Sequence, residues 1–327
     1  MPGIHTSREF LDLFRLRADA VDDRRPFNQS RQCPTSGPPK NTVGSPRKTQ
    51  NPQLYAVRSC AVMSERTRGV LRRIRRALIV AVLLLFVATP AYVSIAFGPD
   101  GVGPEVLTSD ARVRVDDRSD ALVFQPVNDR GDAGLIFYPG CPVPSEAYAP
   151  MARSIAEHGY PVFVMRVPYR CATAADQQQQ LFAATRAVTG SSRRRWVLAG
   201  HSRGAVHASR LLALEPHMVD GLVLIGTTHP RDVSLTSLSI PVMKIYASLD
   251  GVAPEARVKA TASLLPRSTR WVRIEGGNHR QFGSYRYQLF DRTATITRKA
   301  QQDQTIEAIL TMLGFRGARS GVRGAKN

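Results

Sequence analysis

Residues Ala77–Phe97, ALIVAVLLLFVATPAYVSIAF, run for 21 positions without a charged side chain. As an α-helix such a run covers about 30 Å, the thickness of a bilayer hydrocarbon core. A folded domain therefore has to lie to one side of it. The alternative is a buried core helix, but Arg72, Arg73, Arg75 and Arg76 precede the run, a flank poorly suited to packing. Basic residues on one flank are retained on the cytoplasmic side. The sequence thus predicts a single-pass signal-anchor in the cell membrane, with everything after Phe97 on the extracytoplasmic side. A cleaved export signal competes, since Ser94-Ile95-Ala96 offers a small-x-small site. The run exceeds the usual signal h-region, which favours a retained anchor.

The rest of the chain divides around this segment. Residues 1–62 are polar and Pro-rich, as in Pro34-Thr35-Ser36-Gly37-Pro38-Pro39, and are expected to be a disordered extension. Synthesis beginning at Met63 would open the chain MSERTRGVLRRIRRALIV, the charged start and apolar run of an export segment. Residues 63–76 form a basic cytoplasmic flank, 77–97 the transmembrane helix, 98–110 a linker, 111–313 the one core-bearing domain, and 314–327 a basic disordered tail. The net charge of +19 raises the question of nucleic acid. Its distribution argues against that partner, because much of the excess lies before the apolar run or in the tail, with Arg316, Arg319, Arg323 and Lys326. The densest run in the presumed domain, Arg193 to Arg195, reads as a solvated loop. Four cysteines without a CxxC pair exclude a disulfide scaffold or zinc ribbon. Cys141 and Cys171 each follow a predicted strand; two free thiols are the default expectation, and a bridge is geometrically possible in an oxidising exterior. Nothing in the sequence sets an oligomeric state.

Between 111 and 313 short apolar runs alternate with longer amphipathic ones. Strands are expected at Ala111–Val115, Ala121–Gln125, Gly134–Tyr138, Pro161–Val167, Arg195–Ala199, Gly221–Gly226, Ile240–Ala247 and Arg270–Glu275. Helices are expected at Tyr148–His158, Ala174–Val188, Gly204–Leu214, Glu255–Leu265 and Gln301–Leu313. Such alternation implies βαβ crossovers and a mostly parallel central sheet with helices on both faces. The first two strands lack an intervening helix and should form an antiparallel hairpin at one edge.

Ligands of open α/β sheets bind beyond the carboxyl ends of the strands, and three reactive residues fall there. Ser202 sits in Gly200-His201-Ser202-Arg203-Gly204, between a buried strand and a helix start. Small residues two before and two after let the backbone turn sharply and hold the hydroxyl clear of the sheet. Asp250 follows the strand ending at Ala247; it could orient an imidazole, or serve as an ordinary turn residue before Gly251. His279 follows the strand Trp271-Val272-Arg273-Ile274 through Glu275-Gly276-Gly277-Asn278. The order Ser202, Asp250, His279 is that of α/β-hydrolase triads. His201 neighbours the nucleophile, and His229 comes too early for that order.

With Tyr138-Pro139-Gly140 near the start and Asn278-His279-Arg280-Gln281-Phe282-Gly283 near the end, the chain resembles the α/β-hydrolase superfamily, and within it a compact bacterial α/β-hydrolase family, over roughly residues 134–313. The resemblance implies an α/β-hydrolase fold without a cap domain, and His279 as base with Asp250 behind it. It also implies an oxyanion hole of two backbone N–H groups, one from Arg203 and one from the turn Gly140-Cys141-Pro142. Pro142 has no N–H, so Cys141 is the expected donor, where relatives tend to have a second glycine. Ser284-Tyr285-Arg286 departs from the acidic residue, tyrosine and glycine common after the histidine motif.

These features predict a membrane-anchored, esterase-like serine hydrolase that cleaves a small-molecule or cell-envelope ester through an acyl-enzyme. Only Thr227 to Ser239 separate two strands where capped relatives insert a lid, so an open pocket is expected. No GxGxxG, Walker motif or metal-ligand cluster points to a cofactor. An acyltransferase on the same triad and a non-catalytic binding module on the same fold are the alternatives.

Overall fold

The computed structural model describes residues 65–314; the expectations for 1–62 and for the tail beyond Gly314 fall outside them. The first element, α1 (Glu65–Phe97), is a 33-residue helix that takes in the basic flank as well as the apolar run. Among the described residues it is the one helix long and apolar enough to cross a membrane by length and composition, and its most apolar window is not buried against protein.

The last turn of α1 behaves differently. Ala96 and Phe97 are buried in the domain core, with Phe97 stacked on Tyr285 at a ring separation of 6.0 Å. The segment 98–110, expected as a linker, is therefore no free tether. Pro99 pairs antiparallel with Tyr285, and the Tyr287 N–H donates to the Ala96 carbonyl at 3.0 Å. Arg298 closes the junction on the Asp100 carbonyl at 2.7 Å.

The domain is built on eight strands: β1 (Val113–Asp117), β2 (Ala121–Pro126), β3 (Ala133–Tyr138), β4 (Val162–Met165), β5 (Arg195–His201), β6 (Gly221–Ile225), β7 (Val242–Ala247) and β8 (Arg270–Ile274). They form one sheet in the order β1-β2-β4-β3-β5-β6-β7-β8. The pairs β1/β2 and β2/β4 are antiparallel and the others parallel. The edge hairpin reflects a connection too short for a crossover. Alternation along the strands divides the core. Leu135, Phe137, Val197 and Ala199 face one side with α2 (Ala149–Glu157) and α6 (Arg298–Gly314). Ile136, Tyr138, Trp196 and Leu198 face the other with α3 (Ala175–Gly190) and α4 (Arg203–Leu214). Two differently populated apolar faces explain why the inner strands read as continuous hydrophobic runs.

The helix expected at Glu255–Leu265 is shorter: α5 covers Glu255–Lys259, and a 3₁₀ turn occupies Ala262–Leu264. Pro266 disfavours helix at the residue before it, and Thr261 turns its hydroxyl back onto the Val258 carbonyl at 3.0 Å. The connection between β6 and β7 contains no helix, as expected for a fold without a lid at that point.

Candidate active site

β5 ends at His201, and the chain then reverses into α4 within one residue. Ser202 adopts φ 53° and ψ −117°, a left-handed backbone that a side-chain-bearing residue rarely keeps without being held there. Its N–H donates to the Ile225 carbonyl at 2.9 Å, tying the turn to β6. The two flanking glycines answer to space. A Cβ on Gly200 would lie 2.5 Å from the Gly204 carbonyl carbon, and one on Gly204 would lie 2.1 Å from the Tyr138 carbonyl oxygen. Strand, helix and the Tyr138-Pro139 turn thus meet at contact distance around Ser202, which remains partly exposed.

Asp250 and His279 come from the exits of β7 and β8. Both are buried, and His279 Nδ1 lies 2.9 Å from Asp250 Oδ2. A carboxylate only accepts, so Nδ1 carries the proton and Nε2 keeps the lone pair. The other Asp250 oxygen accepts the N–H groups of Val252 at 2.9 Å and Ala253 at 2.6 Å, which fixes the carboxylate plane. Three parts of the chain meet here, because the His201 ring, next to Ser202, packs 4.6 Å from the His279 ring. Among the described residues His279 makes its side-chain bond to Asp250 and none to the Ser202 hydroxyl; serine–histidine contacts are often long without substrate.

The motif around His279 has a structural basis. The Asn278 amide bonds the Arg292 carbonyl at 2.6 Å, its backbone is clamped by Gln301 at 2.9 and 2.7 Å, and Gln281 holds the Ile296 carbonyl at 3.2 Å. Beneath the loop lies Asp291, which nothing in its local sequence singles out. Its carboxylate accepts backbone N–H groups from Gly251 at 3.2 Å, His279 at 3.1 Å and Arg280 at 2.9 Å. One side chain therefore braces the Asp250 turn against the His279 turn.

At the other side of Ser202 the turn after β3 presents few free donors. The Gly140 N–H donates to the Tyr148 hydroxyl at 3.0 Å, Pro142 has none, and the Val143 N–H donates to the Gly140 carbonyl at 2.8 Å. By elimination the Cys141 N–H is left. Arg203 opens α4, so its N–H is one of the unpaired donors at a helix start. The Tyr148 hydroxyl also shares a hydrogen bond with His201 Nδ1 at 2.8 Å, its direction following the imidazole tautomer. His201 is held neutral: burial, and then the nearby His279, push its pKa well below the ordinary histidine range. Neither Tyr148 nor His201 has a role legible from sequence, although the sequence places Tyr148 at a helix start.

Cys141 and Cys171 are joined in a disulfide with a Cα separation of 4.7 Å. This corrects the default of two free thiols. The exits of the adjacent strands β3 and β4 bring the two Cα atoms within bridging range. The Cys171 carbonyl also accepts a bond from His207 Nε2 of α4 at 2.9 Å. His229 stands apart, near Asp232 at 3.3 Å. Two surface cavities, lined by Gln178, Phe182 and Leu214 in one case and by Val143, Arg166 and Tyr169 in the other, include neither Ser202 nor His279.

Residues 134–303 match the Alpha/beta hydrolase family. Similar solved structures include TT1662 from Thermus thermophilus, with 17% identity, 63% of this chain and 100% of that chain covered, and a TM-score of 0.45. An alpha-beta serine hydrolase homologue from Coxiella burnetii gives 15%, 63%, 99% and 0.45, and Est1E from Butyrivibrio proteoclasticus gives 13%, 63%, 100% and 0.46. Among curated proteins there is no significant match. The family match spans more than half of the chain and runs from β3 through the elbow and both carboxyl-end turns, so the chain belongs to the α/β-hydrolase family.

Proposed function

We propose that this chain is a serine hydrolase of esterase type, anchored by α1, with Ser202 as nucleophile, His279 as general base and Asp250 as its orienting carboxylate. The observation that carries the reading is the buried Asp250–His279 pair at 2.9 Å beside a strained serine elbow. His279 Nε2 takes the hydroxyl proton as Ser202 attacks an acyl carbonyl, and Asp250 stabilises the imidazolium that forms. The backbone N–H groups of Arg203 and Cys141 hold the developing oxyanion. The imidazolium then returns its proton to the leaving group, and water repeats the sequence on the acyl-enzyme.

The substrate class is set by access. The β6–β7 connection carries no helix and Ser202 is partly exposed, which suits small or extended esters, including those of the cell envelope, over a deeply sequestered acyl chain. The basic flank before the apolar run supports an extracytoplasmic domain, and the Cys141–Cys171 disulfide is the kind of bond an oxidising exterior maintains.

A serine-reactive fluorophosphonate is expected to label the protein and to lose that labelling with Ser202→Ala. Labelling that persists in Ser202→Ala overturns the assignment. Product analysis with water and alcohol acceptors then separates hydrolysis from acyl transfer.

A further inference from the structure

We propose that the loop Tyr287–Phe290 is a docking element for the bilayer surface, inserted among anionic phospholipid headgroups beside α1 and rigidly tied to the Asp250 and His279 turns. The inference rests on reading α1 as membrane-spanning.

Chain direction gives the first argument. Pro99 pairs antiparallel with Tyr285, and Tyr287 N–H reaches the Ala96 carbonyl. The chain leaving the histidine motif therefore runs back along the end of α1, toward the bilayer that α1 enters. With Ala96 and Phe97 buried in the domain, no slack separates that surface from the helix exit. From the α1 contact at Tyr287 onward the loop carries apolar side chains that the domain leaves unpacked: Tyr287 is 49% exposed, Leu289 48% and Phe290 80%. Single exposed apolar residues are ordinary, but three within four positions form a patch of the kind that marks an interaction surface. Aromatic rings of this sort populate the membrane–water boundary.

The conformation and charge agree. Phe290 has a φ of 67°, a left-handed backbone unusual for a bulky residue, and it is kept there while its ring faces outward. Arg286 and Arg292 flank the patch and are exposed. Cations outnumber the carboxylates nearby: Asp100 is shared by Arg298 at 2.7 Å and Arg286 at 3.6 Å, Arg292 is in no ion pair among the described residues, and Asp291 accepts the backbone N–H groups of the catalytic turns. The surface offered to the bilayer is thus apolar with a cationic rim, matched to anionic headgroups.

The patch also reports on the site. A Cβ on Gly251 would lie 2.1 Å from the Phe290 carbonyl oxygen, so the Phe290 backbone packs directly on the Asp250 turn. Docking fixes the distance between the bilayer surface and the Asp250–His279 pair, which selects esters presented close to the headgroup plane.

The test uses the full chain in nanodiscs containing phosphatidylglycerol, prepared once with lipids brominated close to the headgroup and once with lipids brominated deep in the acyl chain. The native chain has two tryptophans; Trp196 is buried, so the parent supplies a baseline. Three variants are compared: Phe290→Trp, Phe86→Trp within α1 as a control for the anchor, and Leu214→Trp on α4 as a remote exposed control. Phe290→Trp is expected to lose about half of its added emission to the brominated lipid, as for a ring at the interface, while Leu214→Trp is unaffected. Quenching of Phe86→Trp by deeper bromines without quenching of Phe290→Trp overturns the docking proposal and leaves the anchor intact. Absence of quenching in Phe86→Trp overturns the anchor itself, and the docking surface with it.

Discussion

Lys244 lies in the middle of β7 with no exposed surface. Its ammonium donates to the His229 carbonyl at 2.6 Å and to Thr261 Oγ1 at 3.1 Å, and it lies 5.6 Å from the centre of the Trp271 ring. Burial pushes its pKa down to about 7, against roughly 10.4 in an unfolded chain. Between those values the native state binds fewer protons than the unfolded state, so stability rises with pH across that window. Below about 7 both states are protonated, and the destabilisation is complete. At ~1.4 kcal/mol per pKa unit the full displacement is about 4–5 kcal/mol, of which about 1 kcal/mol remains at pH 9.5. The two oxygen acceptors and the indole face favour the ammonium and reduce these figures. Lys244→Met retains the volume and removes the charge. Its advantage over the parent, measured by urea unfolding in detergent micelles with near-UV circular dichroism, is expected to shrink by up to about 3 kcal/mol between pH 6 and 9.5. The orphaned His229 carbonyl carries a penalty of about 1–3 kcal/mol that does not titrate, so the change with pH is the diagnostic quantity. A difference that stays flat across that range refutes the reasoning.

Three further outcomes are expected. Gly204→Ala drives a Cβ to 2.1 Å from the Tyr138 carbonyl and should lower stability by at least about 3 kcal/mol, whereas Gly190→Ala, with nothing within 4 Å, should be neutral or stabilising by up to about 1 kcal/mol in a thermal melt. Cys171→Ser opens a bridge between residues 30 apart, which corresponds to about 3–4 kcal/mol in unfolding experiments. Because it also frees the turn that carries the Cys141 N–H, kcat for a soluble ester should fall by roughly 10-fold or more with KM little changed, the pattern for a group that acts on the oxyanion. Tyr148→Phe leaves the Gly140 N–H and His201 Nδ1 without their shared partner and should lower unfolding free energy by about 2–4 kcal/mol.

The sheet was legible because each of its strands carries its own apolar signature, and a buried parallel strand is written in consecutive residues. The elbow was legible for a related reason: Gly200 and Gly204 sit two positions either side of Ser202, and the clash each prevents lies within that turn or against the Tyr138-Pro139 turn. What stayed hidden is what joins distant positions. Tyr148 and His201 are 53 residues apart, and their bond depends on how α2 settles against the end of β5. Asp291 reads as one more loop carboxylate until the Gly251 and His279 turns are seen to share it. The disulfide belongs to the same class, since only the adjacency of β3 and β4 brings Cys141 to Cys171.

The junction at the end of α1 shows the limit most plainly. Composition marks residues 98–110 as a spacer, with Gly98, Gly101, Gly103 and two prolines, because a spacer and a docked strand that borrows its partner from elsewhere have the same local chemistry. Their energetics differ: the docked form satisfies the backbone of Asp100 and Tyr287 and removes Phe97 from solvent, which an isolated linker cannot do. Once that pairing exists, the helix exit, the histidine loop and the Asp250 turn are one continuous contact through Tyr285, Phe290 and Asp291. A change at the end of α1, such as Phe97→Ala, is therefore a change in the support of the Asp250–His279 pair as well as in the attachment of the domain.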